Sequence, residues 1–223
     1  MLLAVAATEI EMKPLLACCV AGQGAAHCLS GVGPLEAAVS LTRRLAADHR
    51  RLRAVVNFGI AGAYRCRRQD GPEAQLLDIC LAEREVFGDF GVSFGNDIEP
   101  LGASAGAGCR DFVLDEALLR GARRILDSSS LGYHVGTFVT VAGASGTAAR
   151  GASLQRRYRA LCENMEGAAV ARACREYAVP LVEVRVISNL VEDRPGTAWR
   201  IEEACKRAAS VAALLLDGFR EVA

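Results

Sequence analysis

The chain has 223 residues, of which 52% are hydrophobic and only 5% aromatic, so it is long enough to bury a sizeable core. Lys plus Arg and Asp plus Glu number 26 each, which leaves no excess positive charge to draw the chain to nucleic acid or to an anionic membrane. No apolar run approaches the roughly 20 residues of a membrane-spanning helix. We therefore expect one domain over residues 1–223 that binds a small, mostly neutral molecule, with neither nucleic acid nor a membrane as partner.

Nine cysteines are present, but their number is odd and no two of them have C-x-x-C spacing. These spacings argue against a zinc site or a disulfide framework, and most of the cysteines lie in apolar stretches, as free thiols do in a reducing compartment. The chain begins without a basic segment and reaches Glu9 and Glu11 too early for the apolar core of a signal peptide. We expect a cytoplasmic protein that uses no metal and no cofactor.

Strand-like and helical patterns alternate along the chain. In chain order they predict a strand at 2–8, a strand at 26–30, a helix at 35–49, strands at 53–64 and 76–87, a helix at 114–126, a strand at 133–143, a helix from about 163 to 178, a strand at 180–187 and a helix from about 199 to 221. The Gly-rich stretch at 88–108 is expected to be a surface loop that covers a pocket or an oligomer interface. The alternation indicates an α/β fold in which helices cover both faces of a central sheet.

The sequence Thr8-Glu9-Ile10-Glu11 directly follows the first predicted strand. Acids at this place favour the positive end of the next helix, which is a sufficient structural reason for them. A catalytic carboxylate would require the same location, so both interpretations of Glu9 and Glu11 stay open.

A second polar group, CENMEGAA at 162–169, opens a predicted helix. Asn164 can cap that helix, and Glu163 and Glu166 complement its positive end. Alternatively, the small residues around Glu166 let a ligand approach closely, and a carboxylate there can accept two hydrogen bonds from a vicinal diol such as that of ribose.

The third polar group ends the run VRVISN at 184–189, which reads as a buried strand. Asn189 then sits at the carboxyl end of the strand, where open α/β sheets place their ligand sites. Ser188 and Asn189 either end the strand and open a turn, or present an amide whose acceptor and two donors read the edge of a heterocycle.

Two glycine-containing segments complete the set of candidates. Gly-Val-Gly-Pro at 31–34 lacks the third glycine of a dinucleotide fingerprint and the lysine of a P-loop, so it is a weak phosphate motif. Phe-Gly-Ile-Ala-Gly at 58–62 follows a strand, and the backbone amides of Gly59 and Ile60 can approach a bound anion or water. The three histidines lie outside these segments and indicate no catalytic triad.

Taken together, ATEIE, GVG, VNFGIAG, ENMEGAA and EVRVISN resemble, in order and spacing, the motifs of the nucleoside phosphorylase and nucleosidase family. The resemblance extends over nearly the whole chain, and the five weak motifs in register are specific. It implies a single-domain three-layer α/β/α fold with a central mixed, twisted β-sheet flanked by helices. It also implies a small-molecule nucleoside substrate and a homo-oligomer.

The resemblance assigns roles to individual residues as well. Glu11 falls where the family's nucleosidases keep the carboxylate that activates water. Met165 and Glu166 match the pair that binds ribose, the Met against one face of the sugar and the Glu on its hydroxyls. Asn189 matches the residue that meets the purine near its five-membered ring.

Further residues are expected at the substrate site by the same resemblance. They are Gly59, Ile60, Thr140, Gly143 and Asn164. The strand end from Thr140 to Gly146 lines the base pocket in the family, although here it lacks the aromatic that adenine-specific nucleosidases often use for stacking. A carboxylate on the 5′ side of the ribose would favour an arginine; Arg194 and Arg110 are candidates, and a plain surface charge is the alternative for either.

The family contains phosphorylases and hydrolases, which differ in their nucleophile. Its phosphorylases bind phosphate with arginines, whereas the matching places here read ATEIE and VNFGIAG, where Asn57 and Ile60 offer no cation. Because bidentate arginine contacts are the strong phosphate ligands, we expect water as the nucleophile. Breaking an N-glycosidic bond builds positive charge on the sugar, and a carboxylate such as Glu11 can stabilise that charge while it takes a proton from water.

Asn189 distinguishes two classes of substrate. Adenine-releasing nucleosidases of the family carry Asp here, which can donate a proton to N7 and accept from the 6-amino group. The amide NH2 of Asn instead donates to a 6-oxo oxygen, and adenine would leave that buried donor unpaired at a cost of about 1–3 kcal/mol. We therefore expect release of a 6-oxopurine. An adenine-releasing nucleosidase and a non-catalytic nucleoside-binding protein are the alternatives.

Overall fold

The computed structural model describes residues 1–18, 26–65, 73–95, 97–101, 110–195 and 199–221. Cys19, Cys66 and Cys109 lie outside the described residues, as do residues 96 and 102–108 of the stretch expected to be a surface loop. Within the described ranges, no helix is both long enough and apolar enough to cross a membrane.

Helices and strands alternate along most of the chain, and five described strands follow one another between residues 54 and 113. In the described ranges the α-helices are α1 (Glu9–Cys18), α2 (Pro34–Asp48), α3 (Glu116–Ser128), α4 (Ala148–Tyr158), α5 (Gly167–Glu176) and α6 (Ile201–Glu221). The strands are β1 (Leu2–Ala6), β2 (Ala26–Leu29), β3 (Ala54–Tyr64), β4 (Ile79–Phe87), β5 (Gly91–Phe94), β6 (Asp97–Pro100), β7 (Asp111–Val113), β8 (Tyr133–Thr140), β9 (Ala160–Asn164) and β10 (Leu181–Val191).

The long strand β3 organises the sheet because it has neighbours along both edges. β10 pairs with one edge of β3 in parallel orientation. On the other edge, β1 pairs in parallel with the first part of β3 and β9 pairs antiparallel with its last part. β10 also pairs antiparallel with β4, β4 pairs parallel with β8, and β8 pairs parallel with β9. These pairings close the ring β3–β10–β4–β8–β9, while β1 and β2 extend the sheet from β3. The predicted central mixed sheet is confirmed, and part of it closes on itself.

Helices bury both faces of the sheet, as the alternating residues of β1 show. Leu3 and Val5 belong to a core that includes residues of α2 and α5, whereas Leu2 and Ala4 belong to a core that includes residues of α1, α3 and α6. The buried face of α2 repeats every four residues, at Ala37, Leu41 and Leu45. Helices on both faces confirm the predicted α/β layering.

The structure differs from the prediction in several local elements. The residues CEN at 162–164 end strand β9 instead of opening a helix, and α5 begins only at Gly167. Helix α4 lies where no element is predicted, because its buried face carries no apolar period; that face consists of Gly151, Ser153, Leu154 and Gln155. The stretch expected to be a surface loop contains the antiparallel pair β5–β6.

Asn189 lies inside strand β10 and not at its end, which corrects the position inferred from VRVISN. The strand continues to Val191 because Leu190 and Val191 keep pairing with Ala63 and Tyr64 of β3. An irregularity between Ile187 and Asn189 shifts the register, and it brings Asn189 opposite Gly62. The bulge therefore decides which face of the strand Asn189 occupies.

Candidate active site

A cavity of about 240 Å³ opens beside the glycine-containing half of β3. The parallel strands β1, β3 and β10 all have their carboxyl ends on this side, which is where α/β sheets place ligand sites. The cavity is lined by Ala7, Thr8, Ile10, Glu11, Val32, Ile60, Ala61, Gly62, Val141, Ala144, Glu163, Asn164, Met165, Glu166, Arg185, Ser188, Asn189, Trp199 and Ile201. The three polar segments singled out in the sequence therefore meet at one cavity.

Glu11 is buried in the first turn of α1, where three donors hold its carboxylate. Oε2 accepts hydrogen bonds from the backbone N and from Oγ1 of Thr8, at 2.9 and 2.8 Å. Oε1 accepts from the backbone N of Ile60 at 3.2 Å. A Cβ on Gly59 would collide with Glu11 Oε1 and lie 2.9 Å from Arg185 Nη1. Gly59 therefore provides the space in which this carboxylate is held at the cavity wall.

Glu166 is a second buried carboxylate and occupies the N-cap position of α5. Its Oε1 accepts from the backbone N of Gly33 at 3.1 Å, and its Oε2 accepts from Arg185 Nη1 at 3.3 Å. Gly33 has a φ of +90°, a conformation that favours glycine. The Gly-Val-Gly-Pro turn thus presents a backbone donor to a carboxylate of the protein itself.

Asn164 supports the backbone on which Glu166 stands. Its Oδ1 accepts from the backbone N of Glu166 at 2.9 Å and from that of Gly167 at 2.7 Å, so it satisfies amides at the start of α5. Its Nδ2 donates to Glu85 Oε1, and the Thr140 hydroxyl donates to Glu85 Oε2 at 2.9 Å. The helix-start role considered for Asn164 is present, although Asn164 itself belongs to β9.

Arg185 links Glu166 on the cavity wall to Glu183 behind that wall. Its side chain is only 2% exposed, and Nε donates to Glu183 Oε1 at 2.8 Å while Nη1 donates to the carbonyl of Ile60 and to Glu166, both at 3.3 Å. Burial alone would lower the pKa of Arg185, but the carboxylates of Glu183, Glu166 and Glu11 outweigh it and raise that pKa. The guanidinium is therefore a permanent cation that is already paired with carboxylates.

Glu85 and Glu183 lie fully buried behind the cavity, on either side of Gly167. A Cβ on Gly167 would collide with Glu85 and lie 2.8 Å from Glu183 Oε1. Burial, followed by the charge of Glu183, raises the pKa of Glu85 well above its usual range. Burial also raises the pKa of Glu183, against the opposing effect of Arg185. Of the two carboxyl groups, Glu85 has the more strongly raised pKa, because Glu183 has the direct ion pair with Arg185.

Asn189 lines the cavity, and a hydrogen bond holds the oxygen of its side-chain amide. Oδ1 accepts from the hydroxyl of Ser188 at 2.9 Å, whereas Nδ2 has only a 3.4 Å contact with the carbonyl of Leu190. Nδ2 is therefore the atom most available to a ligand. Gly62 lies opposite, and a Cβ there would come within 3.0 Å of Nδ2. The bare backbone of Gly62 therefore lets the Asn189 amide pack closely over β3.

Glu163 is a third carboxyl group on the cavity lining, although its residue is only 5% exposed. Oε1 accepts from the backbone N of Ser145 at 2.7 Å, and Oε2 lies 2.7 Å from Ser145 Oγ. Burial raises the pKa of Glu163, while its hydrogen bonds with Ser145 act in the opposite direction. The carboxyl therefore keeps its proton to a higher pH than an exposed glutamate does.

The remaining walls are mostly apolar and lead to a mouth that carries one aromatic ring. Apolar lining residues include Ile60, Val141, Ala144 and Met165. Trp199 lines the mouth with an exposed ring, and the guanidinium carbon of Arg194 lies 4.9 Å from the centre of that ring. This cation–π contact places a positive charge beside the entrance.

The residues expected at the site from the sequence fall into two layers. Those that line the cavity are Glu11, Ile60, Asn164, Met165, Glu166 and Asn189. Gly59 and Thr140 lie behind this lining, where Gly59 packs against Glu11 and Thr140 belongs to the network of Asn164.

Gly143, Arg194 and Arg110 do not line the cavity. The backbone N of Gly143 points to Asp89 Oδ2 at 3.4 Å, so this glycine belongs to the anchorage of the loop after β8. Arg194 reaches the entrance only through Trp199. Arg110 lies near Tyr158, whose pKa it influences, and not at the entrance.

Two charged lining residues, Arg185 and Glu163, are not among the site residues inferred from the sequence. Arg185 stands inside the apolar run VRVISN, and a charged residue in a buried strand indicates a buried partner. From the sequence, the negative charge of Glu163 is expected to complement the positive end of a helix. The structure places it in β9 facing Ser145, a contact between residues 18 positions apart that no local pattern predicts.

Comparisons with known proteins agree with this geometry. The model of the family described as the Phosphorylase superfamily matches residues 10–221. A futalosine hydrolase of Streptomyces coelicolor is 35% identical over 179 residues, which are 78% of this chain and 71% of that protein. A futalosine hydrolase of Thermus thermophilus is 35% identical over 200 residues, 87% of this chain and 82% of that protein. The solved native structure of the Helicobacter pylori futalosine hydrolase is similar in fold, with a TM-score of 0.81 at 18% identity and 97% of each chain covered.

Proposed function

Because the chain belongs to the phosphorylase superfamily, we propose that it hydrolyses the N-glycosidic bond of futalosine and releases hypoxanthine, a step of menaquinone biosynthesis. One observation carries the proposal. Glu11 is bonded to Ile60 of β3, and Asn189 pairs with Gly62, which is two residues or about 7 Å further along the same strand. A carboxylate and an amide that face neighbouring positions of one strand and line one cavity suit a nucleoside, with the sugar at the carboxylate and the purine at the amide.

Glu11 activates the water that attacks the sugar. Cleavage of the bond builds positive charge on the ribose, and a carboxylate beside the anomeric carbon stabilises that charge and accepts the proton of the water. The donors from Thr8 and Ile60 hold the carboxylate in one orientation before substrate arrives. No reorganisation of Glu11 is then needed during the reaction.

Glu166 and Met165 bind the ribose. The Glu166 carboxylate accepts hydrogen bonds from the sugar hydroxyls, and the Met165 side chain packs against one face of the ring. Gly33 and Arg185 each contact one oxygen of Glu166, so the carboxylate presents its remaining lone pairs in a fixed direction. These contacts orient the anomeric carbon toward the water at Glu11.

Water is favoured over phosphate as the nucleophile by the charges around the cavity. Among the described lining residues, Arg185 is the cationic side chain, and Glu11, Glu163 and Glu166 are the acidic ones. The guanidinium of Arg185 is already paired with Glu183 and Glu166. A phosphate dianion would have to displace these carboxylates, whereas a neutral water molecule would not.

Asn189 selects a 6-oxopurine. The contact of Oδ1 with Ser188 leaves Nδ2 to donate to the 6-oxo oxygen of the base. An adenine 6-amino group at the same place would put two donors against each other, which costs about 1–3 kcal/mol. This preference distinguishes hypoxanthine release from the activity of the adenine-releasing nucleosidases.

The 5′ arm of futalosine, which carries a benzoate, leaves the cavity through the mouth beside Trp199. Arg194 stacks on the Trp199 ring, and its guanidinium can pair with the carboxylate of that arm. The aromatic part of the arm then packs against the apolar residues of the entrance. Arg194 therefore contributes to recognition of the arm and not to the cleavage step.

We also propose that the protein acts as a homo-oligomer in the cytoplasm. Apolar side chains remain exposed around the mouth and on the neighbouring helix α2, with Leu35 reaching 74% exposure; the others are Ile10, Val32 and Val39. Such a patch suits contact with a second copy of the chain. The free and mostly buried cysteines in the described ranges suit a reducing compartment.

A substrate panel tests the proposed function. The protein is incubated with futalosine, inosine, methylthioadenosine and adenosylhomocysteine, each with and without phosphate, and the released base and sugar are identified. We expect hypoxanthine from futalosine in either buffer. Glu11→Gln serves as the inactive control, with a rate that is at least about 100-fold lower. A requirement for phosphate would exclude a hydrolase, and release of adenine alone would support the adenine-specific alternative.

A further inference from the structure

We propose that Glu163 is the general acid that protonates the base as it leaves, a task that the amide of Asn189 cannot perform. This inference rests on the proposed hydrolysis of a purine nucleoside. An amide has no proton of suitable acidity to give, so a hydrolase with Asn at this place needs another donor near the base. Glu163 is the carboxyl group on the described cavity lining that has no role in binding the sugar or activating water.

The register of the sheet brings Glu163 and Asn189 to the same end of the cavity. Glu163 of β9 and Asn189 of β10 both pair with Gly62, from opposite edges of β3. Side chains of directly paired residues lie on one face of a sheet, so Glu163 and Asn189 share a face, with the Asn189 amide over the backbone of Gly62. Two strand spacings separate their backbones by about 10 Å, and both residues line the cavity.

The same strand separates Glu163 from the carboxylate that activates water. Glu11 is bonded to the amide of Ile60, two residues before Gly62, which corresponds to about 7 Å along β3. A general acid beside the purine and a general base beside the sugar can then act on opposite sides of the glycosidic bond.

The contacts of Glu163 leave Oε2 as the oxygen that can carry the proton. Ser145 N donates to Oε1, so Oε1 is an acceptor. Oε2 faces the Ser145 hydroxyl, which can donate or accept, and a proton on Oε2 is therefore compatible with the site. The ionisable groups that face the carboxyl are Tyr64 of β3 and Arg150 of α4, and both favour its charged form. Burial acts more strongly in the other direction and raises the pKa of Glu163.

The proposed step conserves atoms and electrons. The bond from the anomeric carbon to the base nitrogen breaks, and its electron pair moves to the base. Oε2 of Glu163 gives its proton to a ring nitrogen of the base, while the oxygen of water bonds to the anomeric carbon and its proton passes to Glu11. After the products leave, Glu11 releases one proton to solvent and Glu163 takes one up, so the net change is the addition of one water molecule.

Glu163→Gln tests this assignment, because the amide can keep both contacts with Ser145 but cannot transfer a proton. Its kcat is compared with that of the wild type on futalosine and on 4-nitrophenyl β-D-riboside, whose leaving group departs without protonation. We expect at least about a 100-fold loss on futalosine and less than about a threefold loss on the riboside. An equal loss on both substrates, or no loss on futalosine, would overturn the proposal. Wild-type protein inactive on futalosine would instead disprove the underlying function.

Two further measurements distinguish a catalytic role of Glu163 from a structural role. Glu85→Gln is the matched control, since Glu85 is buried nearby but does not line the cavity, and it should affect both substrates equally. The wild-type kcat should fall as pH rises through the pKa of Glu163. In Ser145→Ala this fall should move to higher pH, because the Ser145 hydroxyl favours the charged carboxylate. An unmoved pH profile in Ser145→Ala would overturn the assignment even if Glu163→Gln fails to fold.

Discussion

The carboxylate of Glu11 lies directly over the backbone of Gly59, so close that a Cβ on Gly59 would collide with Oε1. We predict that Gly59→Ala displaces Glu11 and lowers kcat about 100-fold, the size of effect that a misplacement of about 1 Å produces in an active site. Gly132→Ala is the matched control, because nothing lies within 4 Å of a Cβ at Gly132. Steady-state kinetics on both variants test this, and equal kcat values for the two would contradict it.

Asn189→Asp should shift the preference of the protein toward 6-amino purines. The carboxylic acid can give a proton to N7 and, once ionised, accept from the 6-amino group. We expect the ratio of kcat/KM for methylthioadenosine to that for futalosine to rise roughly tenfold or more. The measurement is the release of adenine and hypoxanthine by the variant and the wild type. An unchanged ratio would show that Asn189 does not contact the base.

The main elements of the fold and the polar segments at the cavity follow from patterns that are local in the sequence. The apolar spacing of α2 and the continuous apolar run of β3 predict these elements because each buries a regular face. Helix α4 escapes prediction since the face it buries is made of small and polar residues. The bulge that turns Asn189 toward Gly62 has no local pattern either, because it arises from pairing between two distant strands.

The electrostatic part of the site depends on contacts that cross the sequence. Gly33 is 133 residues from Glu166, and Arg185 Nη1 contacts the carbonyl of Ile60, 125 residues away. Composition and periodicity carry no information about such pairs. What the sequence does show is a single Arg within an apolar run, which requires a buried anion without identifying it. Apart from Glu183, which lies two residues away on the same strand, the carboxyl groups around Arg185 are therefore identified only by the structure.

Glu85 predicts a pH dependence of stability with a definite sign. Burial and the charge of Glu183 raise the folded-state pKa of Glu85 well above the ordinary value of 4.5. A raised pKa means that the stabilisation is complete below the unfolded-state pKa and is lost as pH rises toward the folded-state pKa, because the unfolded chain ionises first. Glu85→Gln removes this loss. Its melting temperature relative to wild type should therefore be higher at pH 7.5 than at pH 4.5.

Thermal unfolding at the two pH values measures the effect, and Glu99→Gln on the exposed strand β6 is the matched control. The same difference in melting temperature at both pH values for Glu85→Gln would show that Glu85 is ionised in the folded protein. In that case the more strongly raised pKa of the pair would belong to Glu183.

Arg194 should matter only for substrates that carry the 5′ carboxylate. We expect Arg194→Ala to raise KM for futalosine about tenfold, which corresponds to about 1.4 kcal/mol, and to leave KM for inosine unchanged. Arg200→Ala is the control, because Arg200 is also exposed but pairs with Glu203. A similar rise in KM for both substrates would mean that Arg194 maintains the loop and does not contact the arm.

The most direct test of the central claim is hydrolysis of futalosine in ¹⁸O-labelled water without phosphate, followed by mass spectrometry of both products. The account predicts unlabelled hypoxanthine and a sugar product that carries one ¹⁸O atom at the anomeric carbon, because Glu11 activates water and no other nucleophile. The contradicting result is no cleavage until phosphate is added, with a sugar phosphate as the product.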